Sequence, residues 1–110
     1  MALLAQQTPT REAVIETIRQ NAPILAQRYG VSKISLFGSF AKGAPTQASD
    51  VDLVIEFNRP IGLAFVDLAD DFERFLGRPV DLLTQDGIRN IRIPAVQNRI
   101  LSSIEHVWPN

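Results

Sequence analysis

Two short elements of this chain have the residue types and spacing to act on phosphate: Gly38-Ser39 and, after ten intervening residues, Asp50-Val51-Asp52. From Asp50 to Phe57 apolar and polar residues alternate, which predicts a strand. Side chains on a strand alternate with period two, so Val51, Leu53, Ile55 and Phe57 turn to a core and Asp50, Asp52, Val54 and Glu56 turn the other way. Two carboxylates on one face repel, which raises one pKa unless a cation neutralises them. Their oxygens suit a hard ion, and Mg²⁺ in particular is usually held by one or two carboxylates together with substrate phosphates. Gly38-Ser39 falls where a strand from Lys33 to Phe37 gives way to a turn and the start of a helix. There Gly permits close backbone approach, while free N–H groups and a hydroxyl can grip an anion. A third acid, Asp81, lies in the aliphatic run Val80–Thr84, where it could complete a two-metal site or take the proton from an attacking hydroxyl. Each element has a plainer explanation by itself: an ordinary turn, a solvated strand face, and an acid that accepts backbone hydrogen bonds or pairs with Arg78. Together they point to metal-assisted chemistry on a phosphate.

Helices must frame these strands. Thr8-Pro9-Thr10 starts one, with Val14, Ile15, Ile18, Ala22, Leu25 and Tyr29 at helical spacing and Gly30 as its stop. Pro23 predicts a kink, or two short helices with Asn21 capping the second. The stretch 44–49 is a polar loop rich in turn formers. A second helix over Leu63–Leu76 places Phe65, Leu68, Phe72, Phe75 and Leu76 on one stripe, and Gly77 ends it. Its Asp67, Asp70, Asp71 and Glu73 are expected on a wet outer face. From Gly87 onward helix is expected again, broken at Ile93-Pro94, with Val96, Ile100, Leu101 and Ile104 as its stripe up to Val107-Trp108-Pro109. Trp108 is expected to anchor the last turn, and the single histidine, His106, to be a surface or structural residue. Arg89, Arg92 and Arg99 fall on this last segment, where they could meet an acidic partner or a polyphosphate, or form a solvated face. The order helix, strand, turn, strand, helix, strand, helix predicts an α/β (α+β) architecture, a small mixed sheet covered by helices.

Composition narrows the field. At 110 residues and 12.2 kDa, a single domain over 1–110 is expected, with no second core. Eleven basic against twelve acidic residues leave a net charge of -1, with none of the basic excess that direct nucleic-acid binding draws on. Cysteine is absent, which excludes disulfides, thiolate metal sites and a Cys nucleophile. No apolar run approaches the roughly 20 residues of a membrane span, and Met1–Gln7 lack the charged start and apolar core of a signal sequence, so a cytoplasmic protein is expected. The charge is unevenly spread: eight of the twelve acids lie from Asp50 to Asp81, against three basic residues. Lys33 and Lys42 are expected to flank the phosphate turn.

Gly38-Ser39-Phe40-Ala41-Lys42-Gly43 followed by Ser49-Asp50-Val51-Asp52-Leu53 resembles the signature of the polymerase-β-like nucleotidyltransferases, and the length resembles their minimal, or MNT, subgroup. The resemblance runs from Tyr29 to about Thr84. It implies the polymerase-β-like fold, with Gly38 and Ser39 holding a nucleoside triphosphate, Lys42 beside it, Asp50 and Asp52 binding two Mg²⁺, and Asp81 joining the metal site or assisting the nucleophile. Lys42 departs from the Arg more usual there, which keeps the charge and loses bidentate phosphate recognition. Minimal nucleotidyltransferases are typically encoded beside a HEPN-domain ribonuclease toxin and act as its antitoxin. The resemblance therefore implies a hetero-oligomer with that toxin, and transfer of AMP from ATP to a hydroxyl, a Tyr, of the toxin. The alternative it leaves open is a non-catalytic antitoxin that neutralises the HEPN toxin by binding alone. Larger relatives carry a further domain for their acceptor, so this chain's acceptor is expected to bring much of its own binding surface.

Overall fold

The computed structural model describes residues 9–43 and 50–110. Met1–Gln7, Thr8 and the turn-rich stretch 44–49 lie outside the described residues. In chain order the elements are α1 (Arg11–Tyr29), β1 (Val31–Phe37), α2 (Gly38–Ala41), β2 (Val51–Phe57), α3 (Ala64–Leu76), β3 (Val80–Thr84), α4 (Gln85–Arg89), α5 (Pro94–Ser103) and β4 (Glu105–Trp108). The strands form one mixed sheet in the order β3-β2-β1-β4, with β1 antiparallel to both β2 and β4, and β2 parallel to β3 through the α3 crossover.

Alternation along the strands divides the apolar residues between two faces. On one face Ile34, Leu36, Val51, Leu53, Ile55 and Val107 meet Ile18, Ala22 and Leu25 of α1 and Leu68 and Phe72 of α3 in the main core. On the other a smaller cluster joins Phe37, Val54 and Ile88, with Leu83, Ile100 and Ile104 packed against it. Val54 therefore shares the Asp52 face yet is buried, because α4 and α5 cover that end of the sheet.

Helix α1 begins at Thr10, whose hydroxyl accepts the Ala13 N–H at 3.0 Å. It runs unbroken to Tyr29 with Pro23 inside it. The expected break at Pro23 is absent: the ring sits on the solvent side between Ala22 and Leu25, whose burial holds the helix together. Asn21 does not cap a second helix, and its amide donates to the Thr17 carbonyl at 2.8 Å. Gly30 closes α1 in the left-handed conformation, φ 74°, and β1 starts one residue later, earlier than the sequence suggested.

The C-terminus departs further from expectation. Residues 105–108 form the edge strand β4, and Trp108 packs from that strand against the main core. Helical periodicity was visible only as far as Ile104; a four-residue strand carries too little pattern of its own, and the pairing with β1 decides its conformation. His106 is exposed on that edge.

The acidic face of α3 also differs. Asp67 and Asp70 are exposed, whereas Asp71 is 2% exposed and accepts hydrogen bonds from the Tyr29 hydroxyl at 2.5 Å and from Arg28 at 3.1 Å, and pairs with Arg74. This group ties the C-terminus of α1 to α3. Lys33, expected beside the phosphate turn, instead stands opposite Glu56, Nζ to Oε2 3.5 Å, toward the other end of the sheet.

Removing the Tyr29 hydroxyl leaves a buried carboxylate short of a donor, so Tyr29→Phe is expected to lower unfolding free energy by about 1–3 kcal/mol. Arg28→Ala, whose side chain is 56% exposed, should cost no more than about 1 kcal/mol. Urea unfolding at neutral pH checks both, and equal losses would mean that burial does not set the strength of this contact.

Candidate active site

Register brings the predicted acids together. Phe37 of β1 pairs with Asp52 of β2, and Asp52 pairs with Asp81 of β3. In parallel register the two carboxylates leave the same face of the sheet side by side. Asp50 stands just before β2 and is exposed, acting on Asp52 through its charge.

Gly38 presses on the same carboxylate. Its φ is +75°, and a Cβ there would lie 2.2 Å from Asp52 Oδ2, so both the backbone angle and the space demand glycine. The turn is pinned from below by Phe40, which is fully buried, with the Arg78 guanidinium 5.3 Å from its ring centroid. Ser39 is half-buried beside Gly38, and Lys42 is exposed at the end of α2.

Burial and like charge act together on Asp52. Desolvation first, then the charge of Asp81, a hydrogen bond with Asp81 and the charge of Asp50 push its pKa up to about 6. Asp52 is half-buried in the sheet, while Asp81 and Asp50 are exposed. Among the described residues no three acidic or histidine side chains converge as a ready-made metal cage. Two carboxylates in repulsion, with a third nearby, nevertheless fit Mg²⁺, which completes its octahedron with water and substrate phosphates.

One participant was not legible in the sequence. Ser103, at the C-terminus of α5, accepts the Gly38 N–H through its Oγ at 3.3 Å. Serines at a helix end give no sign of a partner 65 positions away. Two open clefts lie elsewhere. One of about 760 Å³ sits at the far end of β2 and β3 against Glu56, Arg59, Phe65 and Arg89, and one of about 660 Å³ surrounds Tyr29, Asp70 and Arg74. Neither is lined by Gly38 or by the acids of the candidate site.

Comparison with known proteins finds matches over most of the chain. The profile of the family described as "Nucleotidyltransferase domain" matches residues 18–106. A Methanocaldococcus jannaschii protein with the provisional name protein adenylyltransferase MJ1379 is 36% identical over 101 residues, 89% of this chain and 98% of that one. A solved minimal nucleotidyltransferase, also provisionally named, superposes with TM-score 0.67 at 25% identity over 90% of this chain and 97% of its own. A chain in the structure of tri-AMPylated Shewanella oneidensis HEPN toxin in complex with MNT antitoxin shares the fold at TM-score 0.52 and 19% identity, over 100% of this chain and 74% of its own.

Because Asp52 titrates near 6 in the fold and near 3.8 outside it, its contribution to stability is full below pH 3.8 and is lost as pH rises through about 6. The isosteric, uncharged Asp52→Asn should therefore melt higher than wild type at pH 7.5 without divalent ions, and the two melting temperatures should converge toward pH 4. Thermal melts across that range check this, and parallel curves would contradict it.

Proposed function

Since the chain belongs to the nucleotidyltransferase domain family, we propose that it is a Mg-ATP-dependent protein adenylyltransferase, transferring AMP to a hydroxyl, a Tyr, of a HEPN ribonuclease toxin and so acting as its antitoxin. The observation that carries the reading is the convergence of Asp52, Asp81 and the Gly38 turn on one end of the sheet. The provisional name of the Methanocaldococcus relative supports adenylyl transfer to protein. The complex of tri-AMPylated toxin with MNT antitoxin supports the partner class.

In this reading the Gly38-Ser39 turn holds the triphosphate, and the absence of a side chain at Gly38 sets that turn directly against Asp52. Lys42, exposed at the end of α2, lends a point charge to the outer phosphates. Asp52 and Asp50, with Asp81 adjoining, would hold Mg²⁺, which when bound neutralises the carboxylates and the triphosphate and polarises the α-phosphoryl group. Asp81, the more exposed of the paired acids, orients the acceptor hydroxyl in line and takes its proton. The hydroxyl oxygen bonds to the α-phosphorus, the bond to the β-phosphate oxygen breaks, and pyrophosphate leaves. In this reading the acceptor supplies much of its own binding surface. A reaction that consumes ATP fits the cytoplasm. Among the described residues no helix is long and apolar enough to cross a membrane.

The test incubates the chain with Mg²⁺, α-labelled ATP and the HEPN-domain protein of the same genome. Label should appear on a HEPN tyrosine, and Asp52→Asn should reduce its transfer on the order of 100-fold or more. An Asp52→Asn chain that still suppresses toxicity while label never transfers from wild type would replace this reading with neutralisation by binding alone.

A further inference from the structure

Helix α5 is covered far less than the other long helices. None of its ten residues is buried, and Ile100 reaches the smaller core only in part. Ile93 at its start, Val96 and Leu101 are 61, 38 and 48% exposed. Apolar side chains gathered on one element and left in water mark a contact surface.

Charge indicates the chemistry of what covers it. From Gly87 to Ile104 the chain has three arginines, Arg89, Arg92 and Arg99, and no acid. Arg89 is paired with Asp86 at 3.4 Å, whereas Arg92 and Arg99 make no ion pair among the described residues. The matching surface is acidic and apolar.

Position ties this face to the chemistry. Val96, Arg99 and Ser103 follow one another at spacings of three and four, which places them along one side of the helix. Ser103 ends that row on the Gly38 N–H. The row therefore leads from the exposed Val96 to the turn that overlies Asp52. The other exposed apolar pair, Leu63 and Val66 at 91 and 62%, lies at the start of α3, near the Phe57 end of β2, where Phe57 and Phe65 make ring contact. Five residue steps along β2 separate Phe57 from Asp52, about 16 Å at strand rise. A macromolecular acceptor has to deliver its hydroxyl to the Asp52 end, and of the two patches the one on α5 adjoins it.

We infer that the side of α5 carrying Val96 and Arg99, with Arg92 and Ile93 at its start, is the docking surface for the acceptor protein, which meets it with an acidic, apolar face. The inference rests on the protein-acceptor reading above. Binding and transfer are therefore measured separately, with the HEPN-domain protein of the same genome as the probe.

Val96→Glu/Arg99→Glu and Arg92→Glu/Arg99→Glu should each weaken binding about tenfold or more near 0.1 M salt. ATP binding and thermal melting should stay at wild-type values, and Leu63→Ser/Val66→Ser should bind as wild type does. The arginine pair variant keeps every apolar residue of the helix, so it serves if the first variant unfolds. If wild type binds and labels the HEPN protein and both α5 variants do so equally well, the docking surface is elsewhere and the transferase reading stands. If wild type is a dimer that the α5 variants dissociate without affecting HEPN binding, a second copy of this chain is the occupant and the inference fails. If wild type neither binds nor labels the HEPN protein, the inference and the reading beneath it fall together.

Discussion

A half-buried carboxylate held against another is the constraint on which the rest of this site depends. Asp52 and Asp81 are register partners in the parallel pair β2–β3, so the hydrogen bonds of the sheet keep them together against their repulsion. Gly38, having no Cβ, lets the turn after β1 lie directly against the Asp52 carboxylate. The result is a carboxyl whose pKa is raised by burial and by its acidic neighbours, a condition that a bound cation would relieve. The core stabilises the fold and this pair draws on that stability, which is the usual relation between a scaffold and a functional site.

The scaffold is economical in how it fixes that geometry. The turn after β1 is anchored by Phe40 in the main core, the strands carrying the acids are central or next to it, and α1 and α3 are tied together at Asp71. The covering of the second face is thinner. There α5 contributes no fully buried residue, yet it reaches the Gly38 turn through Ser103. The same helix thus adjoins the candidate site and leaves apolar and basic side chains in water. This arrangement suits a small catalyst whose acceptor arrives as a folded surface.

Much of this was legible in the sequence because the signals were periodic. Alternation over 50–57 identified β2 and the face carrying Asp52, and the 3.6-residue spacing of Val14, Ile18, Leu25 and Tyr29 identified α1. The spacing of Gly38-Ser39 from Asp50 and Asp52, together with the later Asp81, picked out residues that the register then brings to one end of the sheet. Features decided by tertiary contact were not legible. Pro23 reads as a break, yet burial of Ala22 and Leu25 carries the helix past it. Trp108 reads as the end of a helix, yet pairing with β1 makes it a strand residue. Asp71 reads as one of four solvated acids, yet Tyr29 and two arginines satisfy it inside. Lys33 sits close to Gly38 in sequence, but strand rise carries it toward the opposite end of the sheet beside Glu56.

The central claim is that Asp52 is built to be relieved by Mg²⁺ and a nucleotide, and titration of its side-chain carboxyl by carbon-13 NMR tests that directly. In the metal-free chain the resonance should titrate near 6. With Mg²⁺ and a non-hydrolysable ATP analogue it should titrate at or below the ordinary 3.8, since an opposite charge in contact favours the ionised form. A carboxyl that titrates near 6 under both conditions would contradict the account.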